Sequence, residues 1–170
     1  MRSAITTGIL ALWLSMSACS DDRSLVQKSR EDDVTSVADD DPAMLAAFEQ
    51  ARKTLDGFLK LAASPAPGTE AYGLKVAVSD DGGTEYFWVT PFTVEGNSFS
   101  GRINNTPRVV SNVEEGELIK FDRSKVVDWV YQDTKRNRMY GNFTACALLT
   151  HEDPADAAAF KAEYGLRCDI

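Results

Sequence analysis

The sequence predicts an α+β domain in which one long N-terminal helix packs on a bent antiparallel sheet of five to six strands, closed by a short C-terminal helix. Three observations carry that expectation. Apolar residues from Met44 to Ala62 recur every three or four positions, the period of a helix with one buried face. Beyond Pro65 the period drops to two, with Leu74, Val76 and Val78 alternating with Lys75, Ala77 and Ser79, the pattern of a half-buried strand. Near the end, Asp153-Pro154 and Gly165 supply the start and stop chemistry of a second helix.

In chain order, Asp41 is placed to cap the first helix and Pro42 to open it, where a missing N–H costs nothing. Met44, Phe48, Ala51, Leu55, Phe58 and Ala62 form its stripe, Gly57 lies off it, and Pro65 restricts Ser64 and ends it. Asp80-Asp81-Gly82-Gly83 predicts a tight hairpin into a strand over 85–94. Pro91 in that strand implies an edge or a bulge. Glu95-Gly96-Asn97 turns the chain into a strand over 98–104, and further strands are expected over 118–121, 126–131 and 138–150. The connection 105–117 shows no period. Pro154, Asp156, the Phe160/Tyr164 pair and Gly165 define the last helix.

The sequence before Asp41 reads as export and anchoring. Met1-Arg2 is followed by an uncharged, mostly apolar run over 4–14, about 16 Å of helix and roughly half of a bilayer core. That is the core of a signal peptide rather than a membrane span. Leu14-Ser15-Met16-Ser17-Ala18-Cys19 resembles a bacterial lipobox, with Met16 where leucine is usual. The resemblance implies cleavage after residue 18 and acylation of Cys19; ordinary cleavage with a free cysteine is the alternative. Ser20, where an inner-membrane signal often has Asp, points to the outer membrane. Residues 20–41 carry eight acids and three bases, and so read as a disordered acidic tether of about 26 Å. The expected organisation is a signal peptide over 1–18, a lipidated tether over 19–41 and one domain over 42–170. With Cys19 set aside, Cys146 and Cys168 form an even pair suited to one disulfide in an oxidising compartment. A last helix folding back along the final strand would bring them together, and two free thiols are the alternative.

Composition excludes several functions. A net charge of −8 with one histidine argues against nucleic-acid binding and against a histidine-built metal site. No phosphate-binding, nucleophile-elbow or dinucleotide motif occurs, so no cofactor, metal or catalytic residue is assigned. His151 reads as a solvated loop residue. The candidate binding surface is Trp88, Arg102, Asn104, Asn105, Asp128, Trp129 and Tyr131. Strand alternation puts Asp128 on the face opposite Trp129 and Tyr131. Asp128 is open to three roles: an ion pair with Arg102 or Arg123, a ligand contact, or a base. Trp88/Phe92 and Trp129/Tyr131 are the aromatic anchors of any interface. Lys120, Arg123, Lys125, Lys135, Arg136 and Arg138 form a basic region flanking one hairpin, read as a charge-protected edge or as a contact for an acidic partner or anionic lipid.

Glu85-Tyr86-Phe87-Trp88-Val89, Phe99-Ser100-Gly101-Arg102-Ile103-Asn104-Asn105, Gly116-Glu117-Leu118-Ile119, Val127-Asp128-Trp129-Val130-Tyr131 and Gly141-Asn142-Phe143-Thr144 occur in that order. Together they resemble the YegJ-like family of small bacterial domains of unknown function, over about residues 70–150. The resemblance implies an α+β domain and no established activity. The expected function is an envelope-anchored lipoprotein with a non-catalytic binding domain, its partners being the membrane through the lipid and an unidentified protein or envelope component. Two alternatives stand beside it: a periplasmic hydrolase or transferase using Asp128 as base, and an inhibitor or immunity protein that binds a toxin.

Overall fold

The computed structural model describes residues 41–168; the leader, Cys19 and residues 20–40 of the tether lie outside them. The first helix, α1 (Pro42–Ala63), begins where the capping chemistry places it: the Asp41 carboxylate accepts hydrogen bonds from the backbone N–H groups of Ala43 and Met44. Met44, Phe48, Ala51, Leu55 and Phe58 are buried, as the stripe requires.

Six strands follow: β1 (Thr69–Asp80), β2 (Gly83–Glu95), β3 (Ser98–Ile103), β4 (Leu118–Asp122), β5 (Val126–Asp133) and β6 (Arg138–Gly141). They form one open antiparallel sheet in the order β4-β3-β2-β1-β5-β6. The register shifts once between β2 and β3, between Val89 and Phe92, and twice between β1 and β5; such bulges bend strands. Leu74, Val76, Phe87 and Val89 are fully buried. The Phe58 ring of α1 stacks 4.9 Å from Trp129 and 6.0 Å from Phe92, and Phe48 lies 5.5 Å from Tyr86.

Two expectations about the elements need correction. The strand foreseen over 138–150 stops at Gly141, and Phe143–Leu148 form a short helix, α2, followed by a 3-10 turn over Leu149–His151. Gly141 (φ 76°) and Asn142 (φ 54°) are both left-handed, which turns the chain out of the sheet. A Cβ on Gly141 would lie 2.1 Å from the Trp129 carbonyl oxygen, so glycine is required there. The basic residues do not all flank one hairpin: Arg123 and Lys125 form the 3-10 turn before β5, but Lys120 does not join them. Lys120 lies on edge strand β4, whereas Lys135, Arg136 and Arg138 belong to the β5–β6 turn and β6 at the opposite edge.

The final helix, α3 (Pro154–Tyr164), is capped by Asp153 and ends at left-handed Gly165, as expected. Cys146 and Cys168 are joined by a disulfide with a Cα–Cα distance of 5.6 Å. The pairing matches expectation but its route does not: Cys146 lies on α2 rather than on a strand. A parallel bridge between Met139 and Leu166 carries the C-terminal segment back to β6.

Candidate functional site

Asp128 is fully buried, and so is Thr144 at 2% exposure. A carboxylate in such a place must find donors. Asp128 Oδ1 accepts from the Trp129 backbone N–H at 2.8 Å. Its Oδ2 accepts from the Thr144 backbone N–H at 2.8 Å and from Thr144 Oγ1 at 2.7 Å. The Thr144 hydroxyl in turn accepts from Lys75 Nζ at 2.9 Å, and that ammonium sits 5.0 Å above the Trp88 ring. Register explains the meeting, because Lys75 of β1 faces Asp128 of β5. The Thr144 N–H is also one of the first-turn donors of α2 that no intrahelical carbonyl can satisfy. The unit thus ties β1, β5 and α2 together through one threonine.

Burial is the main cause of the pKa shift at both ends. It pushes the Asp128 carboxyl up, opposed by the Lys75 charge and the Thr144 and Trp129 hydrogen bonds. It pushes the Lys75 ammonium down, opposed by the Asp128 charge. The Trp129 N–H, the Thr144 N–H and the Thr144 hydroxyl all donate to the Asp128 carboxyl, which acts as acceptor, the role of the ionised form.

The expected ion pair of Asp128 with Arg102 or Arg123 is therefore replaced by Lys75 acting through Thr144. Arg102 Nη1 donates to the Gly116 carbonyl at 2.9 Å, and Arg123 pairs with Asp56 of α1 at 2.6 Å. Asn105 Oδ1 accepts from the Trp88 backbone N–H at 2.9 Å, and the Asn104 backbone N–H donates to the Trp88 carbonyl at 2.8 Å. Arg102 and Asn104 are exposed, while Trp88 and Asn105 are half-buried. Trp129 is not an exposed anchor: it is 8% exposed, and its indole N–H donates to Thr54 Oγ1 at 3.1 Å. Tyr131 is half-buried and held between Tyr72 at 5.2 Å and Tyr140 at 4.9 Å. The seven candidates do not share one surface. Trp88, Arg102, Asn104 and Asn105 gather where β2 and β3 meet the following loop, Asp128 is sealed beneath α2, and Trp129 and Tyr131 occupy the other face of β5.

The residues that organise the region carry no assigned role in the sequence, although Thr144 lies in the Gly141-Asn142-Phe143-Thr144 segment. Lys75 looks like a solvated member of an alternating strand, and Thr144 like a strand residue. Two more carboxylates fasten the aperiodic loop 105–117. Glu85 accepts from the N–H groups of Arg108, Val109 and Val110 at 2.9–3.2 Å. Asp80 accepts from the N–H groups of Ser111 and Gly82, both at 2.7 Å. These bonds hold the Asp80 carboxyl below the ordinary carboxylate range. His151 is exposed, and its Nε2 lies 3.1 Å from the Asp41 carboxylate at the start of α1. No group of three or more His, Cys, Asp or Glu among the described residues is arranged to hold a metal, and no helix among them is long and apolar enough to cross a membrane.

Fold and site together define a class: an α+β domain on an open six-stranded antiparallel sheet, locked by one disulfide and by a half-buried lysine that reaches a buried aspartate through a buried threonine. The chain belongs to the family described as "Uncharacterized protein conserved in bacteria (DUF2314)", whose model matches residues 41–168. It is 32% identical over 124 residues to "Uncharacterized protein YegJ" of Escherichia coli (strain K12), covering 73% of this chain and 78% of that protein. No solved structure matches.

Proposed function

We propose that the protein is a bacterial envelope lipoprotein, acylated at Cys19 and held at the outer membrane, whose folded domain acts as a non-catalytic binding module. The observation that carries this reading is the Cys146–Cys168 disulfide, a bond that persists in oxidising compartments and is rare in the cytosol. The leader and the lipobox-like run before Cys19 supply the route and the anchor. Asp128 supports binding over catalysis, because each of its oxygens already accepts a hydrogen bond within a sealed site and a general base must reach its substrate. The exposed Arg102 and Asn104 at the end of β3 are the members of the candidate surface available to a protein or envelope partner.

Replacing Cys19 by serine tests the anchor. The variant chain is expected in the soluble envelope fraction with its Cys146–Cys168 bond intact. Sedimentation with membranes after a high-salt wash, at the wild-type level, would contradict it.

A further inference from the structure

Among the described residues, strand β4 is the outer strand at one end of the sheet, and its backbone shows which residues present the edge. Ile103 N–H donates to the Glu117 carbonyl at 2.9 Å and Arg123 N–H to the Asn97 carbonyl at 2.9 Å. In an antiparallel ladder hydrogen-bonded and non-hydrogen-bonded pairs alternate. Within β4, Ile119 and Phe121 therefore spend their backbone groups on β3. Leu118, Lys120 and Asp122 turn theirs outward.

That alternation restricts how a second strand can add. An antiparallel copy of β4 must set outward-facing residues opposite one another, so its twofold axis passes through a residue rather than between two. An axis through Lys120 puts Lys120 against itself, and one through Asp122 puts Asp122 against itself; like charges directly opposite destabilise a sheet. An axis through Ile119 sets Lys120 against Leu118. An axis through Phe121 sets Lys120 of each copy against Asp122 of the other. It makes two opposite-charge pairs on one face and places both residues at hydrogen-bonding positions. Lys120 and Asp122 are exposed and, two apart on one strand, share a face.

The other face fits the same axis. Phe121 is half-buried and stacks 5.6 Å from the buried Phe99 at an interplanar angle of 10°. Opposite its own copy it would occupy a non-hydrogen-bonded pair, with Cα atoms about 4.5 Å apart, and extend the stack to four rings across the axis. We propose that β4 is a homodimerisation edge, at which two copies of this chain pair antiparallel through Lys120–Asp122 contacts about a twofold axis at Phe121. The contact is isologous and closed, so it yields a dimer rather than a fibre. It does not depend on the lipid anchor.

Sedimentation velocity of the full chain in density-matched detergent tests the proposal, using the wild type, Lys120→Asp, Asp122→Lys and the double reversal. The wild type is expected to dimerise. Each single reversal sets two like-charge pairs across the axis and is expected to weaken dimerisation by about tenfold or more, while the double reversal recovers wild-type strength. Circular dichroism of the four chains should superimpose, because both sites are exposed. A monomeric wild type overturns the proposal, as do single reversals that dimerise like the wild type. A double reversal as weak as the singles overturns the register and with it the proposal.

Discussion

A charge removed from water survives on the donors that surround it, and Asp128 has three, two of them from Thr144. Replacing it by asparagine removes the charge that faces Lys75 and turns an amide toward groups arranged to donate. The expected loss is about 2–4 kcal/mol, read as a lower urea midpoint with an unchanged slope; an unchanged midpoint would contradict the structural role. Its position opposite Trp129 was legible from strand alternation, but its partner was not. Val126 and Asp128 pair with the adjacent residues Val76 and Lys75, so Val127 bulges, and no period in the sequence marks that slip. Asp80 is a second residue whose role appears only in three dimensions. Its folded pKa is depressed by the Ser111 and Gly82 N–H groups. Its contribution is therefore present above the unfolded value, about 3.9, and is lost as pH falls through the lower folded value. Hydrogen exchange of 105–117 should accelerate below about pH 4 beyond the change in intrinsic rate, and Asp80→Asn should abolish that step. A pH profile identical in the two chains would contradict the clasp.

At the scale of elements, α1 was legible because a cap, a stripe and a proline stop agree, and it runs Pro42–Ala63 as the spacing demands. The same agreement located α3 and the hairpin turn at Asp80–Gly83. The span after Gly141 misled because a short apolar run fits a strand or a buried helix equally well. The two left-handed residues that settle the matter, Gly141 and Asn142, leave no periodic trace. Gly57 gives a test of the helix itself. A Cβ there meets nothing within 4 Å, so Gly57→Ala is expected to stabilise the domain by up to about 1 kcal/mol, seen as a raised melting temperature. A lowered one would mean that the glycine is needed for packing. The sheet order lay beyond the sequence for another reason. After β4 the chain passes β3, β2 and β1 before β5 joins the sheet, and hydrophobic period says which face is buried but not which strand is the neighbour.

For the whole molecule, the acidity belongs mostly to the segment before the domain, where residues 20–41 hold eight acids and three bases. The low isoelectric point of about 4.7 therefore describes residues 20–41 more than any binding face. On the proposed reading, the disulfide and the leader-like and acidic sequence before the domain belong to a domain presented outside the cytosol, while the surface residues that would contact a partner carry no motif that names it. The anchored, exported state is the claim from which the rest of the functional reading follows. Mass spectrometry of the chain purified from native membranes tests it most directly: the account predicts that residues 1–18 are absent and that Cys19 begins the chain bearing acyl groups, whereas an unmodified Cys19 thiol, or a chain still beginning at Met1, would contradict it.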